Sequence, residues 1–251
     1  LLGANSYLWR ITHNFIHHTY TNIQGYDEDL GVSPLIRLSP HTRHRPIHRA
    51  QHVVAFLSYG LATLFWVFAK DYKYFLQRDL GPYRDRKHSR QEWAILLLGK
   101  ALYYALMIAL PLIVLDLAWW QVLLGFLIVH LTAGLILGVV FQLAHVVETT
   151  EQFPSGAADA IKKNWAEHQM RTTNDFAPGN RLLSWYIGGL NYQIEHHLFP
   201  RVCHVHYRKL SPIVAAVARE HGVPYHCHAS FSGAVASHYR TLRAFGDPAY
   251  R

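Results

Sequence analysis

Two long apolar runs constrain the fold of this chain more than any other feature. Residues 94–115 contain one charged residue, Lys100, and residues 117–143 contain none. About 20 apolar residues in a helix cross a bilayer, where every backbone polar group must be paired within the segment. A buried helix of a soluble core is the alternative for each run, but two such runs in 251 residues favour membrane helices. We expect an all-α integral membrane protein with a transmembrane hairpin over 94–115 and 117–143.

The composition agrees with a membrane protein. Hydrophobic residues make up 51% of the chain and charged residues 16%, against about 25% charged in soluble domains. The net charge is +8, but the basic residues flank apolar runs instead of forming a separate basic domain, which argues against nucleic acid as a partner. Two cysteines give no disulfide framework and fit a reducing compartment.

Charges around the hairpin predict its orientation. Only Asp116 lies between the two runs, whereas basic residues are frequent outside them: Lys70, Lys73, Arg78, Arg84, Arg86, Lys87, Arg90, Lys162, Lys163 and Arg171. By the positive-inside rule, the open end of the hairpin faces the cytoplasm. Residues 146–251 are polar and amphipathic without a further span, and we expect them to form a helical cap on the cytoplasmic side.

Nineteen histidines are present, and the densest group lies near the start of the chain. In this first histidine segment (residues 13–18), His13 and His17 share one face of a helix, and His18 follows. Neutral imidazole is the commonest metal ligand in proteins, although a solvated polar turn is the alternative. A second histidine segment (residues 193–197) repeats the pattern, with ligand-type side chains at i, i+3 and i+4: Gln193, His196 and His197.

The membrane topology allows the two segments to meet. His145 ends the second apolar run on the expected cytoplasmic side, so it could join them. If both segments share a site, an even number of spans separates them. Three apolar runs intervene, so one does not cross, and the 17-residue run 53–69 is the best candidate for an interfacial or re-entrant element.

The histidine segments resemble the second and third histidine boxes of the integral-membrane fatty acid desaturase family. The similar stretches are His13-x-x-x-His17-His18-Thr19-Tyr20-Thr21-Asn22 and Asn191-Tyr192-Gln193-Ile194-Glu195-His196-His197-Leu198-Phe199-Pro200. The glutamine that opens the second stretch is similar to that of the front-end, delta-6-like (linoleoyl-CoA desaturase-like) branch. The resemblance covers essentially the whole chain, which we therefore expect to be a single desaturase domain over 1–251.

The resemblance implies an enzyme with two non-haem iron ions in the cytoplasmic cap. Such an enzyme would use oxygen and two electrons from an external donor, ferredoxin or cytochrome b5, to put a cis double bond into an acyl chain carried as acyl-CoA or in a lipid. The implied iron ligands are His13, His17, His18, His145, Gln193, His196 and His197. A related histidine-box lipid hydroxylase and a non-catalytic membrane protein that retains the boxes are the alternatives.

One departure from the family concerns its first histidine box, of the form His-x-x-x-His. Residues 1–12 contain no histidine and the chain does not begin with Met, so we expect a chain truncated at its N-terminus that lacks two ligands.

Other notable residues are expected to be structural or to support the site. His130 lies mid-span and is expected to be a hydrogen-bonded packing residue. His41, His44, His48 and His52 alternate with arginines and predict a cationic membrane face. Glu148 and Glu195 are expected either to hold imidazoles or to form surface ion pairs. His168 is expected to support the site or be structural, and the stretches around Cys203 and Cys227 match no common zinc pattern.

Overall fold

The computed structural model describes residues 2–31, 34–158 and 164–250. In these ranges the protein is mainly helical, and its only β-structure of more than one residue is a pair of two-residue parallel strands, Asp175–Phe176 and Cys227–His228. The α-helices are Ser6–Trp9, His18–Tyr20, Gln51–Gly60, Ala62–Phe65, Asp71–Leu76, Arg90–Tyr104, Leu110–Val114, Trp119–His145, Trp165–Thr172, Arg181–Tyr186, Gln193–Leu198, Tyr207–Glu220 and Phe231–Phe245. Wider π-helical turns occupy Arg10–His17, Trp66–Lys70 and Ala105–Ala109, and 3-10 turns occupy Glu28–Leu30, Pro46–Ala50, Ser155–Ala157 and His204–His206.

The chain forms two compact units, each assembled from two stretches of sequence. The first unit comprises residues 1–12 and 56–138, and the second comprises residues 13–55 and 139–251.

Two described helices are long and apolar enough to cross a membrane, Arg90–Val114 and Trp119–His145. The two predicted membrane-length helices are therefore confirmed, with slightly different ends. The first begins earlier because the Ser89 side chain caps it by accepting a hydrogen bond from the Glu92 backbone N–H. The shorter run 53–69 belongs to a helix pair, Pro46–Gly60 and Ala62–Leu76, that bends by 57° and could be either a broken span or a re-entrant loop.

Two buried polar side chains of the membrane-length helices, His130 and Lys100, are paired within the first unit. The His130 ring lies between the Tyr103 hydroxyl, 2.6 Å from Nε2, and the Thr63 hydroxyl, 3.0 Å from Nδ1. This hydrogen-bonded packing role is the predicted one. Lys100 is buried, forms a 2.8 Å ion pair with Asp71, and donates to backbone carbonyls, including that of Gly3. A buried cation in an apolar helix is thereby compensated.

The second unit contains the helices that surround the histidine segments. A small apolar core joins Met170, Ile194, Val214 and Ala218, so that the helices Trp165–Thr172, Gln193–Leu198 and Tyr207–Glu220 pack together. Ser230 caps the helix Phe231–Phe245 by accepting from the backbone N–H of Gly233.

Candidate metal centre

Six histidines of the second unit come from three separate segments and lie close together. His17 ends the π-helical turn Arg10–His17, His145 is the last residue of Trp119–His145, and His196 and His197 lie on Gln193–Leu198. The first histidine segment is helical, and most of it is π-helical. The His13 and His17 rings stack at 5.1 Å on one face, and π-turns are frequent at functional sites.

The six histidines form two groups of three. In each group the nearest ligand-type atoms of the three residues lie within 4.8 Å of one another: His13, His18 and His196 in one group and His17, His145 and His197 in the other. The groups adjoin, since the His18 and His197 rings stack at 4.2 Å. Five of these imidazoles are buried and His196 is half-buried.

Hydrogen bonds determine which ring nitrogens face inward in the second group. Nδ1 of His17 bonds the Asp27 carboxylate at 3.0 Å, and Nδ1 of His145 bonds the Thr172 carbonyl at 3.1 Å. Both partners can only accept, so each Nδ1 carries the proton and each Nε2 presents a lone pair. Nδ1 of His197 similarly bonds the Gln169 side-chain oxygen at 2.8 Å.

The resulting arrangement calls for a cation. Nε2 of His17 lies 3.2 Å from Nε2 of His145, and two lone pairs that face each other at this distance repel unless a positive centre shares them. Nε2 of His197 is buried without a hydrogen-bond partner among the described residues. Ligating histidines commonly have the other ring nitrogen held by a carboxylate or carbonyl in this way. The residues present therefore fit a metal ion.

The other group also offers nitrogen atoms without protein partners. Nδ1 of His18 and Nε2 of His196 are buried, and neither has a hydrogen-bond partner among the described residues. The His13 and His196 rings stack at 5.9 Å. Each group is therefore of a kind that could hold a metal ion, and imidazole suits iron, zinc, copper or nickel.

Electrostatics keep the cluster in the form that binds metals. Burial, and then repulsion from His13 and His17, lowers the pKa of His196 to about 3. Burial and neighbouring imidazoles also lower the pKa of His18 and hold that of His197 well below its ordinary value. At neutral pH these rings are uncharged, which is the state that ligates a metal.

Gln193 lies on the same helix as His196 and His197. It is buried one turn before His196 on the same helix, and its amide nitrogen donates to the Leu190 carbonyl at 2.7 Å. Its role as a ligand stays a prediction. The Asp29 carboxylate lies 3.9 Å from Nδ1 of His13 and 3.8 Å from that of His17, at the edge of the cluster.

Sequence reasoning missed the residues that orient the imidazoles. Asp27, Gln169 and Thr172 contact ligand-type histidines, yet Asp27 follows His17 by ten residues through a turn, with no periodic spacing. Glu148 forms the surface ion pair that was one of its two expected roles, 2.6 Å from Arg240.

Glu195 takes neither of its expected roles. It is buried and accepts from the Tyr225 hydroxyl at 2.9 Å. Burial raises its pKa and, more strongly, that of the neighbouring Asp175.

The remaining notable residues lie outside the two groups. Nε2 of His168 bonds the Thr21 carbonyl at 2.9 Å, which agrees with a supporting role. His44 and His48 bond the backbone carbonyls of Gly246 and Pro34. Cys203 and Cys227 are exposed and free, and neither belongs to a metal-type group in the described part of the chain.

The fold and the site define a helical integral membrane protein with a buried histidine cluster of metal-binding type. The family model for fatty acid desaturases matches residues 1–229. The chain therefore belongs to the fatty acid desaturase family, as its histidine segments predict.

Similar proteins include desaturases whose names specify lipid-linked acyl chains. The chain is 41% identical to the sn-1 linoleoyl-lipid 6-desaturase of Arthrospira platensis, over 96% of this chain and 65% of that protein. It is 39% identical to the enzyme of the same name from Synechocystis sp., over 98% and 68%, and 36% identical to an acyl-lipid (8-3)-desaturase of Physcomitrium patens, over 100% and 52%. The chain thus spans about two thirds of the first two relatives and half of the third. No solved structure matches it.

Proposed function

We propose that the protein is an oxygen-dependent acyl-lipid desaturase that introduces a cis double bond at a non-haem di-iron centre. The observation that carries this proposal is the convergence of Nε2 lone pairs from His17 and His145 at 3.2 Å, with both Nδ1 atoms held by acceptors. The names of the relatives support a lipid-linked acyl chain as the substrate class.

Desaturation needs an oxidant that side chains alone cannot supply. Bound iron would supply oxygen activation strong enough to take hydrogen from an unactivated methylene. In the balanced reaction, a –CH2–CH2– unit, O2, two electrons and two protons give –CH=CH– and two waters. The electrons would come from an external protein donor, ferredoxin or cytochrome b5.

The protein's own residues would hold and orient the iron. His13, His18 and His196 would bind one ion and His17, His145 and His197 the other, and Gln193 is proposed as a further ligand through its amide oxygen. Asp27, Gln169 and the Thr172 carbonyl would fix the imidazole tautomers. We place this centre on the cytoplasmic face, because basic residues flank the open end of the apolar hairpin.

The test compares histidines inside and outside the cluster. We expect the full-length protein, expressed in a host that contains linoleoyl lipids, to yield acyl chains two hydrogens lighter without added oxygen. His17→Ala and His196→Ala should each abolish this product and lower the iron content, because each removes one imidazole from a group of three. The exposed His221→Ala should change neither. Products with added oxygen would instead indicate a hydroxylase, and zinc in place of iron would contradict the proposal.

A further inference from the structure

The short helix Arg181–Tyr186 presents its apolar residues outward. Leu182, Trp185 and Tyr186 lie on one face and are 73%, 77% and 62% exposed. The opposite side, which includes Leu183 and Ser184, is half-buried. An aromatic and aliphatic face of this kind is unfavourable in water, so it requires something to cover it.

The face is held rigidly in its outward position. Asn180 caps the helix by accepting from the Leu183 backbone N–H at 3.0 Å, and the backbone N–H of Gly189 closes its end on the Ser184 carbonyl at 2.7 Å. Gly188 and Gly189 have φ of +62° and +74°, which favour glycine. The helix that carries the exposed side chains is therefore closed at both ends by local hydrogen bonds.

The exposed charges in the stretch of sequence that carries this face are of one sign. From residue 177 to residue 210 the only acidic residue is Glu195, which is buried. The basic side chains of the same stretch are all exposed: Arg181, Arg201, Arg208 and Lys209. A surface that combines Trp, Tyr and Leu with exposed cations is complementary to a bilayer interface, where aromatic rings lie at headgroup depth and cations meet phosphates.

We propose that Leu182, Trp185 and Tyr186 insert into the membrane interface and anchor the second histidine segment there. A protein partner could use the same residue types, but the same chain has two helices that are long and apolar enough to cross a bilayer, and the exposed cations suit anionic headgroups. The anchor does not depend on the proposed reaction.

The anchor is linked to the histidine pair by short connections. The 177–192 loop that carries it closes at its base, where the Phe176 backbone N–H donates to the Asn191 carbonyl at 3.0 Å and the Tyr192 hydroxyl donates to the Pro178 carbonyl at 2.6 Å. The helix Gln193–Leu198 follows at once, and the Asp175 carboxylate accepts from the Ile194 backbone N–H at 2.9 Å. Insertion of the anchor therefore sets the depth of His196 and His197 at the membrane surface.

Spin labelling of the full chain in vesicles tests the anchor. In a Cys203→Ser, Cys227→Ser background, a nitroxide is attached at Leu182→Cys or Trp185→Cys, with exposed Glu220→Cys as the control. The vesicles contain phosphatidylcholine and phosphatidylglycerol. Oxygen concentrates in lipid, whereas a charge-bearing or hydrated nickel complex stays in water. We expect oxygen to increase the spin relaxation rate of the labels at 182 and 185 several-fold more than the water-soluble nickel complex does. At 220 we expect the nickel complex to have the larger effect.

Two results would contradict the proposal that this face inserts into the membrane. If the nickel complex reaches the label at 182 as readily as the label at 220, the face lies in water. If neither reagent reaches the label at 182, the face is covered by protein and not by lipid. Because the measurement needs no turnover or iron, a failure of the proposed reaction would leave its result interpretable.

Discussion

Asp27 shows how one residue outside the ligand set can determine the chemistry of the cluster. Its buried carboxylate accepts three hydrogen bonds, from Nδ1 of His17 at 3.0 Å, the Asn22 backbone N–H at 2.9 Å and the Asp29 backbone N–H at 3.0 Å. The backbone bonds fix the carboxylate, and the carboxylate fixes the proton of His17 on Nδ1. The lone pair of His17 then points toward His145.

Asp27→Asn should weaken iron binding while leaving the protein folded. An amide has one acceptor oxygen, so it cannot satisfy all three donors, and the imidazole loses its anionic partner. We expect iron affinity to fall about 10- to 100-fold, measured by competition with a chelator. The exposed Asp247→Asn should bind iron like the parent chain. Equal affinities for both variants would contradict an orienting role for Asp27.

The histidines of the site can be predicted from sequence more readily than the residues that hydrogen-bond their rings. His13 and His17, and His196 and His197, lie at spacings set by one helix face, and those spacings survive even though the first segment winds as a π-helix. Asp27 and Gln169 reach the cluster through tertiary contacts between distant loops and helices. Such contacts depend on how the elements pack, which no local spacing reports.

Among the elements, the long helix Trp119–His145 relies on small residues for a close contact. Gly134 lies against the backbone carbonyls of Tyr59 and Gly60, and a Cβ atom at Gly138 would lie 2.6 Å from the Cβ of Tyr59. Small residues allow helix backbones to approach closely in membranes. The spacing of Gly134 and Gly138 could be read from sequence, whereas the bend between Gly60 and Ala62 could not, because periodicity does not report helix direction.

Gly134→Ala should therefore destabilise the first unit. The added methyl group would overlap the Gly60 carbonyl and, at 2.8 Å, the carbonyl oxygen of Tyr59. Overpacking of this kind costs about 1–3 kcal/mol. Gly125→Ala in the same helix is the matched control, because its Cβ would meet no atom within 4 Å and alanine favours a helix over glycine. Thermal unfolding in detergent should show a lower midpoint for Gly134→Ala alone, and equal midpoints would refute the close contact.

At the scale of the molecule, the histidine cluster connects two distant stretches of chain. The second unit is built from residues 13–55 and 139–251, and each three-histidine group takes its histidines from both stretches. Direct hydrogen bonds also connect them, including that from the Trp165 indole to the His18 carbonyl at 2.8 Å and that from the Gln51 side chain to the Leu242 carbonyl at 2.8 Å. Bound metal would add a further cross-link between the same two stretches.

Removal of iron should consequently increase local opening in the second unit and leave the first unit unchanged. A ligand that binds only the folded state stabilises it by about 2.7 kcal/mol at 100 times its dissociation constant. We expect chelation to raise amide hydrogen exchange in Gln193–Leu198 and at the end of Trp119–His145, and ferrous iron to reverse the change. The helix Arg90–Tyr104 should exchange at the same rate throughout, because it carries no ligand. In His17→Ala the iron response should be much smaller. Equal changes in both units would mean that iron acts on the whole fold and would rule out a local cross-link.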